Sequence, residues 1–156
     1  YPIPKTSSDS NVEIANNQNE SERCKMAKRI EVNPDWPWAE KFGFHLGIRV
    51  ENTVYVSGTV AWDRDGNIVG QDNMLEQSRQ AFSNVKEILA EAGATMDDVV
   101  KINAFLTDIN RYAEYSAARA EAFTNNIPAS TAVASPALVE PGLLIEIEAI
   151  AEIGSG

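Results

Sequence analysis

Two carboxylates near the end of the chain are the residues best placed to do chemistry. Glu146 and Glu148 stand two positions apart within a predicted strand, residues 143–151. At a rise of about 3.3 Å per residue, their side chains share one face of that strand, roughly 6–7 Å apart. Glutamate is a poor strand former and is costly to bury unpaired. Two interpretations are open: a face that contacts solvent, or a carboxylate at the mouth of a pocket, where burial tunes it as a general base.

The opposite face of this strand is apolar without a break. It consists of Leu143, Ile145, Ile147, Ala149 and Ala151. Alternation with period two is typical of a strand that has one buried face. The rest of the domain is therefore predicted to pack against this face.

Other residues that could carry chemistry are few. The single cysteine, Cys24, excludes an internal disulfide, and the single histidine, His45, lacks the partners of a zinc site. Ser57 has no His–Asp pair nearby in sequence to activate it as a nucleophile. We therefore expect no metal site built from imidazole or thiolate ligands.

Charge and hydropathy exclude further classes. The 156 residues carry a formal net charge of −10, whereas proteins that bind a phosphate backbone need a basic surface. No apolar run approaches the ~18 residues that a membrane span requires. The acid excess suits a cytoplasmic protein, or an enzyme that acts on small neutral or cationic molecules. Binding to nucleic acid or to a membrane is not expected.

The pattern of the chain predicts one domain with mixed secondary structure. Residues 1–28 are polar and irregular and are predicted to be a flexible extension; residues 29–153 form the domain, and residues 154–156 are a flexible end or a remnant of cloning. Strands are predicted over residues 47–51, 53–57, 99–107, 128–135 and 143–151. Helices are predicted over residues 73–92, capped by Asn73 and ended by Gly93, and from Asp108 to about residue 125.

This order indicates an α+β fold in which two helices cover one face of a sheet. The uncovered face is expected to carry Leu144, Ile150, Ser130, Ala132 and Ala134. Because such a face would be wet in a single copy, neighbouring subunits are expected to bury it.

At this point the motifs resemble those of the Rid (reactive intermediate deaminase, or YjgF-like) family. The similarity covers most of residues 42–152 and rests on several short motifs in order and spacing. The motifs are Val56-Ser57-Gly58, Asn84-Val85, Ala92-Gly93-Ala94, residues 97–101, residues 105–109, Ile127-Pro128-Ala129 and residues 145–151.

The resemblance implies a chorismate-mutase-like domain that forms homotrimers with clefts between the subunits. In members that deaminate, a glutamate on the last strand positions the attacking water, and the matching residue here is Glu146. The pocket-lining Ser-Gly pair matches Ser57 and Gly58. Phe44 stands where the family often has tyrosine. The segment Ser130, Thr131 and Ala132 matches the substrate-binding strand, in which Ala132 replaces a common cysteine.

One departure from the family pattern bears on the substrate. Where deaminating members have a carboxylate-binding arginine, this chain has Ser130, and a hydroxyl cannot replace a bidentate guanidinium. The substrate is therefore expected to be a neutral or larger molecule rather than a simple 2-imino acid. Arg119, on the second predicted helix, either supplies a guanidinium from elsewhere or pairs with a surface acid such as Glu114 or Glu121.

Three functions remain open at this stage. The first is hydrolysis of a C=N bond, an enamine or imine deaminase-like reaction in which Glu146 positions water; an iminium carbon is already electrophilic, so no cofactor is needed. The second is a non-catalytic trimer that binds small molecules or acts like a chaperone. The third is ribonuclease activity, which the acidity and the single histidine disfavour.

Overall fold

The computed structural model of the protein describes residues 27–156, so that Cys24 and nearly all of the predicted extension lie outside the described residues. Six strands form one mixed sheet in the order β1-β2-β3-β6-β4-β5. They are β1 (Arg29–Val32), β2 (Gly47–Val50), β3 (Thr53–Val60), β4 (Val99–Leu106), β5 (Ala129–Ala134) and β6 (Ile145–Glu152). All pairings are antiparallel except that of β4 with β5.

Two helices accompany this sheet, α1 (Met74–Glu91) and α2 (Tyr112–Ala122). Helix α1 begins at Asn73, whose side chain accepts a hydrogen bond from the Glu76 backbone amide at 3.1 Å. It ends before Gly93, which has a φ of 79° that glycine adopts without steric cost. Helix α2 begins later than predicted, because Asp108 caps a short 3₁₀ turn, Ile109–Arg111, that precedes it.

The main core lies between the helices and one face of the sheet. The apolar face of β6 is buried as predicted, with Ile145, Ile147 and Ala151 at 0% exposure. Side chains from α1 and α2, among them Ile88 and Tyr115, belong to the same buried cluster. The prediction of an α+β domain with two helices packed on a mixed sheet is thus confirmed.

The register of β5 corrects one expectation. Ser130, Ala132 and Ala134 pair with Ile102, Ala104 and Leu106 of β4. Those β4 residues are buried in the main core, and paired residues of adjacent strands point to the same side of a sheet. The prediction that these three β5 residues lie on the uncovered face is therefore wrong.

Two further differences concern β1 and Leu144. Residues 29–32, which were not predicted to be a strand, form β1 along the outer edge of β2. Leu144 packs against the main core rather than standing on the uncovered face, because regular strand pairing of β6 begins only at Ile145.

The sheet surface away from the helices is called the open face below. It consists of Tyr55, Lys101, Asn103, Phe105, Thr131, Val133, Glu146, Glu148 and Ile150. Tyr55 is 49% exposed and Val133 is 43% exposed, so this face combines apolar side chains with two carboxylates. No helix in residues 27–156 combines the length and the apolar character that crossing a bilayer requires.

Replacing Ile147 tests whether β6 anchors the core. Ile147→Ala removes a fully buried side chain and should lower the free energy of unfolding by about 2–5 kcal/mol, because the vacated volume is refilled only in part. Val139→Ala is the control, since Val139 is 65% exposed. Urea denaturation monitored by tryptophan fluorescence measures both; equal effects of the two substitutions would contradict the packing described.

Candidate functional site

Glu146 lies half-buried on the open face, in the middle of the sheet. Its neighbours across the strands are Val60 of β3 and Phe105 of β4. Neither neighbour offers its side chain as a hydrogen-bond donor, and within residues 27–156 no side-chain hydrogen bond to the carboxylate of Glu146 is formed. This carboxylate therefore keeps its lone pairs available to a ligand or to water.

A bulge in β3 makes room for the Glu146 side chain. The pairing of β3 with β6 shifts between Val56 and Thr59, so Ser57 and Gly58 form the irregular segment. A Cβ atom on residue 58 would overlap Oε1 of Glu146. Glycine at this position is thus required for the carboxylate to lie against the backbone of β3.

Burial and a neighbouring charge both favour the protonated form of Glu146. Burial is the larger cause and the carboxylate of Glu148 the smaller, and both raise the pKa of Glu146 above its ordinary value. The two carboxylates differ in their surroundings, because Glu148 accepts a hydrogen bond from Asn103 Nδ2 at 2.7 Å. Glu146 therefore has the environment of a proton acceptor tuned toward neutral pH.

Ser57 ties the bulge to the segment before β2. Its hydroxyl donates to the carbonyl of His45 at 2.7 Å, and its amide donates to the carbonyl of Leu46 at 2.9 Å. The hydroxyl is thus engaged with backbone, as expected of a residue that shapes the site rather than of a nucleophile. His45 itself contacts Asn33 at 2.8 Å and Glu31 at 3.3 Å, on the side of β1.

Aromatic side chains cluster beyond the bulge. Phe44, one residue before His45, is 48% exposed and lies 6.0 Å from Phe42. Phe42 stacks on Trp62 at 5.4 Å, while Trp62 is buried and donates to Glu140 at 3.0 Å. Phe42 did not emerge from the sequence as a candidate, although the aromatic-rich stretch of residues 36–44 was the available signal.

Arg119 and Ser130 meet on the other side of the sheet. Nη1 of Arg119 donates to Oγ of Ser130 at 3.1 Å, and the guanidinium lies 5.6 Å from the centre of the Tyr115 ring. Pairing of Arg119 with Glu114 or Glu121 is not observed. Those acids instead make bidentate contacts with Arg111 and Arg79.

The two other predicted residues of β5 separate by face. Thr131 stands on the open face, where its hydroxyl accepts a hydrogen bond from Lys101 Nζ at 2.7 Å. Ala132 is half-buried against the main core on the helix side. Thr131 therefore shares a face with Glu146, whereas Ser130 and Ala132 do not.

One chain does not bring all of the predicted residues together. Ser130 pairs with Ile102 of β4, and Glu146 pairs with Phe105 of the same strand. Ser130 and Glu146 are therefore separated by three residues along the strands and by two strand spacings across the sheet. Sheet spacings place their Cα atoms about 14 Å apart, with the side chains on opposite faces. The chain thus carries two separate groups of predicted site residues, called half-sites below: one with Glu146, Gly58 and Thr131, and the other with Ser130 and Arg119.

Two clefts within residues 27–156 lie away from Glu146. One cleft of about 540 Å³ runs along residues 33–36 and reaches Phe44 and His45, and another of equal volume lies between α1 and α2. Glu146 lines neither of these clefts. In residues 27–156, no three His, Cys, Asp or Glu side chains cluster in a way that could hold a metal ion.

Comparison with known proteins gives consistent matches. A family model described as endoribonuclease L-PSP matches residues 40–153. A RutC family protein of Pyrococcus abyssi is 36% identical over 108 residues, which are 69% of this chain and 84% of that protein. The mitochondrial protein Mmf1 of Saccharomyces cerevisiae is 37% identical over 90 residues, which are 58% of this chain and 61% of that protein.

Solved structures extend the similarity to the fold. A Mycobacterium tuberculosis protein, described as a member of the YjgF/YER057c/UK114 family, superposes with a TM-score of 0.71 at 33% identity. The superposition covers 81% of this chain and 100% of that one. The crystal structure of yeast Mmf1 gives a TM-score of 0.75 at 31% identity, and the superposition covers 81% of this chain and 99% of that one.

The raised pKa of Glu146 has a consequence for stability that can be measured. The folded state binds this proton more tightly than the unfolded state does. The proton therefore adds to the free energy of unfolding at pH values below the ordinary pKa of glutamate, and this contribution is lost as the pH rises through the raised pKa of Glu146. Glu146→Gln removes this titratable group. The free energy of unfolding of the variant, taken relative to that of wild type, should therefore be higher at pH 7 than at pH 4.

Urea denaturation at pH 4 and pH 7, at one protein concentration, tests this difference. Glu91→Gln, at an exposed position near the end of α1, is the control and should show no such gain. The same difference from wild type at both pH values for Glu146→Gln would contradict the burial described for this carboxylate.

Proposed function

Because the chain belongs to the endoribonuclease L-PSP family, the YjgF/Rid family that its motifs resemble, we propose that it hydrolyses a C=N bond of a small molecule. The observation that carries the proposal is the half-buried Glu146, set against Gly58 and without a hydrogen-bond donor among the described side chains. Family membership by itself supports a deaminase or a small-molecule-binding role in general.

The proposed reaction needs one group that accepts and returns a proton. The Glu146 carboxylate takes a proton from water while the water oxygen bonds to the iminium carbon, which gives a carbinolamine. The protonated Glu146 then transfers this proton to the nitrogen. The C–N bond breaks, ammonia leaves with the bonding electron pair, and the hydroxyl gives its proton to the Glu146 carboxylate as the carbonyl forms; the carboxylate then releases that proton to water or to the departing ammonia.

The environment of Glu146 suits both halves of this exchange. A general base works best when its pKa lies near the operating pH, and burial moves the pKa of Glu146 in that direction. Glu148 lies on the same strand face but is held by Asn103. We therefore assign the proton transfer to Glu146 alone, with Glu148 contributing to its raised pKa.

We further propose that the complete site forms between subunits of a homotrimer. The half-site with Glu146 and the half-site with Ser130 lie on opposite faces of the sheet, so one chain cannot present both to one small molecule. The exposed Tyr55 and Val133 make the open face suited to contact another copy. In such an assembly the β5 edge of one subunit lies beside the open face of its neighbour.

Two other functions are alternatives. A non-catalytic trimer would keep the cleft and bind the same molecules without turnover. Ribonuclease activity is suggested by the description of the family model, but the net charge of −10 and the engagement of His45 with Glu31 and Asn33 argue against it. A cytoplasmic location remains a proposal from composition, and Mmf1 is by its name mitochondrial.

The catalytic role of Glu146 is tested by Glu146→Gln. Glutamine keeps the shape of the side chain but cannot accept the proton. In a panel of neutral and carboxylate-bearing imines, turnover of whichever imine the wild type hydrolyses should therefore fall by about 10²–10⁴-fold. Glu148→Gln is the matched control on the same strand face and should retain most activity. Undiminished turnover in Glu146→Gln would refute the assignment, and no turnover in wild type would favour the binding protein.

Light scattering tests the assembly. A homotrimer should give a mass of about three times 17.0 kDa at micromolar concentration. Tyr55→Lys places a charge on the open face and should shift the mass toward the monomer, whereas Arg64→Glu, on an exposed turn outside the sheet, should not. A monomeric wild type would contradict the proposal.

A further inference from the structure

On the side of β3, Glu146 lies at the end of the strand pairing. Val60 is the last residue of β3 and pairs with Glu146. Between this pair and the bulge there is one other regular pair, Thr59 with Ile147. The end of a strand pair opens more easily than its middle. The closeness of β3 to Glu146 therefore depends on what holds the two strands beyond this last pair.

Asn84 of α1 holds the end of β3. Its buried side chain donates from Nδ2 to the carbonyls of Val60 and Trp62, at 2.9 Å and 2.8 Å. Its Oδ1 accepts from Nε2 of Gln80 at 2.9 Å, which fixes the orientation of the amide. Both N–H groups of one side chain thus hold β3 directly at and after its last pair with β6.

Gln77, seven residues earlier on α1, holds the start of β6. It is fully buried. Its Nε2 donates to the carbonyls of Gly142 at 2.8 Å and Gly70 at 3.2 Å, and its Oε1 accepts from the Leu144 amide at 2.8 Å. Leu144 lies two residues before Glu146. Because residues seven apart share one face of a helix, the same face of α1 binds both strands beside Glu146.

The remaining buried polar residue of α1 forms a different kind of contact. The three such residues are Gln77, Ser78 and Asn84, and Ser78 donates to the carbonyl of Met74 within the helix. A buried amide is costly unless its hydrogen bonds are satisfied. Gln77 and Asn84 satisfy theirs on the segments that adjoin the pair of Val60 with Glu146, so their polarity serves these segments rather than the helix.

The positions of these segments decide how far the Glu146 carboxylate is shielded. Its Oε1 lies where a Cβ atom of residue 58 would be, so the backbone of β3 at Gly58 covers one side of the group. If β3 moved away from β6 at this end, water would enter between Gly58 and the carboxylate. The shielding of Glu146 thus depends on contacts made from the opposite side of the sheet.

We propose that Gln77 and Asn84 are positioning residues for Glu146: they hold β6 and β3 so that its carboxylate stays against the backbone of Gly58. The inference rests on the proposed function, in which Glu146 accepts a proton from water. Both amides belong to α1, on the covered side of the sheet, whereas Glu146 is on the open face. They therefore act on the carboxylate through the two strands.

Gln77→Met tests the inference without a substrate. Methionine fills similar space but makes none of the three hydrogen bonds. The full chain would be isotopically labelled at the glutamate carboxyl carbons and titrated by NMR, with the signal of Glu146 identified by its absence from Glu146→Gln. In Gln77→Met the carboxylate should gain contact with water, so the pKa of Glu146 should fall toward the ordinary glutamate value. Glu148 and Lys101, the other charged residues of the open face, are unchanged.

Turnover gives a second readout if the wild type hydrolyses an imine. A misplaced general base slows the chemical step more than it weakens binding, so Gln77→Met should lower kcat by about 10- to 100-fold with KM little changed. The acidic limb of the pH–rate profile should move to lower pH together with the pKa of Glu146.

Two substitutions elsewhere in α1 are the controls. Ser78→Ala removes a buried hydrogen bond that stays within the helix, and Val85→Ala removes buried apolar volume from the same helix. Neither should move the pKa of Glu146, even where stability falls. Asn84→Ser covers the case in which Gln77→Met does not fold. Serine keeps one donor in place of two, so the pKa should shift in the same direction by less.

The outcomes separate this inference from the proposed function. A folded Gln77→Met or Asn84→Ser with the Glu146 pKa of wild type would overturn the inference, and the hydrolase proposal would stand without it. An equal shift in Val85→Ala would also overturn it, because any loosening of the core would then suffice. If wild type hydrolyses no imine, the proposed function fails, and the titration still decides whether the two amides position Glu146.

Discussion

The alternation of side chains along β6 constrains the rest of the structure. Because Ile145, Ile147 and Ala151 are fully buried under the helices, Glu146 and Glu148 must emerge on the opposite face of the sheet. The two helices lie on the covered side only, so a single chain can shield Glu146 only in part. This partial shielding is the main cause of its raised pKa, and it depends on a glycine in the bulge of β3, where a side chain would collide with the carboxylate.

The same alternation divides the candidate site into two parts. Ser130 pairs with buried Ile102 and therefore faces α2, where Arg119 reaches it. Glu146 lies about 14 Å away by sheet spacing and across the sheet. A carboxylate on the open face and a cation at the edge strand cannot contact one small molecule within one chain. Under the proposed function, assembly is thus a chemical requirement as well as a means of burying apolar surface.

Much of the fold could be predicted because it rests on local patterns. Period-two alternation located β6, and helical spacing with Asn73 and Gly93 located α1 within a residue or two. β1 was missed because it has only four residues, three of them exposed. The faces of β5 were misassigned because its small residues give no amphipathic signal, and its face follows from a parallel register with β4 that local sequence does not encode.

The candidate site was predictable where a motif fixed a single residue and not where residues distant in sequence had to meet. Glu146, Ser57 and Gly58 follow from the family resemblance, and the structure adds that Gly58 gives space to Glu146. The contact of Arg119 with Ser130 joins α2 to β5. Glu121 and Glu114, the two acids that the sequence offered as partners of Arg119, form ion pairs with Arg79 and Arg111 instead. Which ion pairs form is decided by packing of the helices, and sequence spacing alone left that choice open.

Subunit complementation tests most directly the claim that one site combines residues of two chains. Glu146→Gln and Arg119→Gln chains, each of which lacks one half-site, would be co-expressed with different tags and the mixed trimers purified. If each cleft takes Glu146 from one subunit and Arg119 from its neighbour, every mixed trimer should contain one complete cleft and should recover about one third of the wild-type activity. Mixed trimers as inactive as either parent would contradict the account.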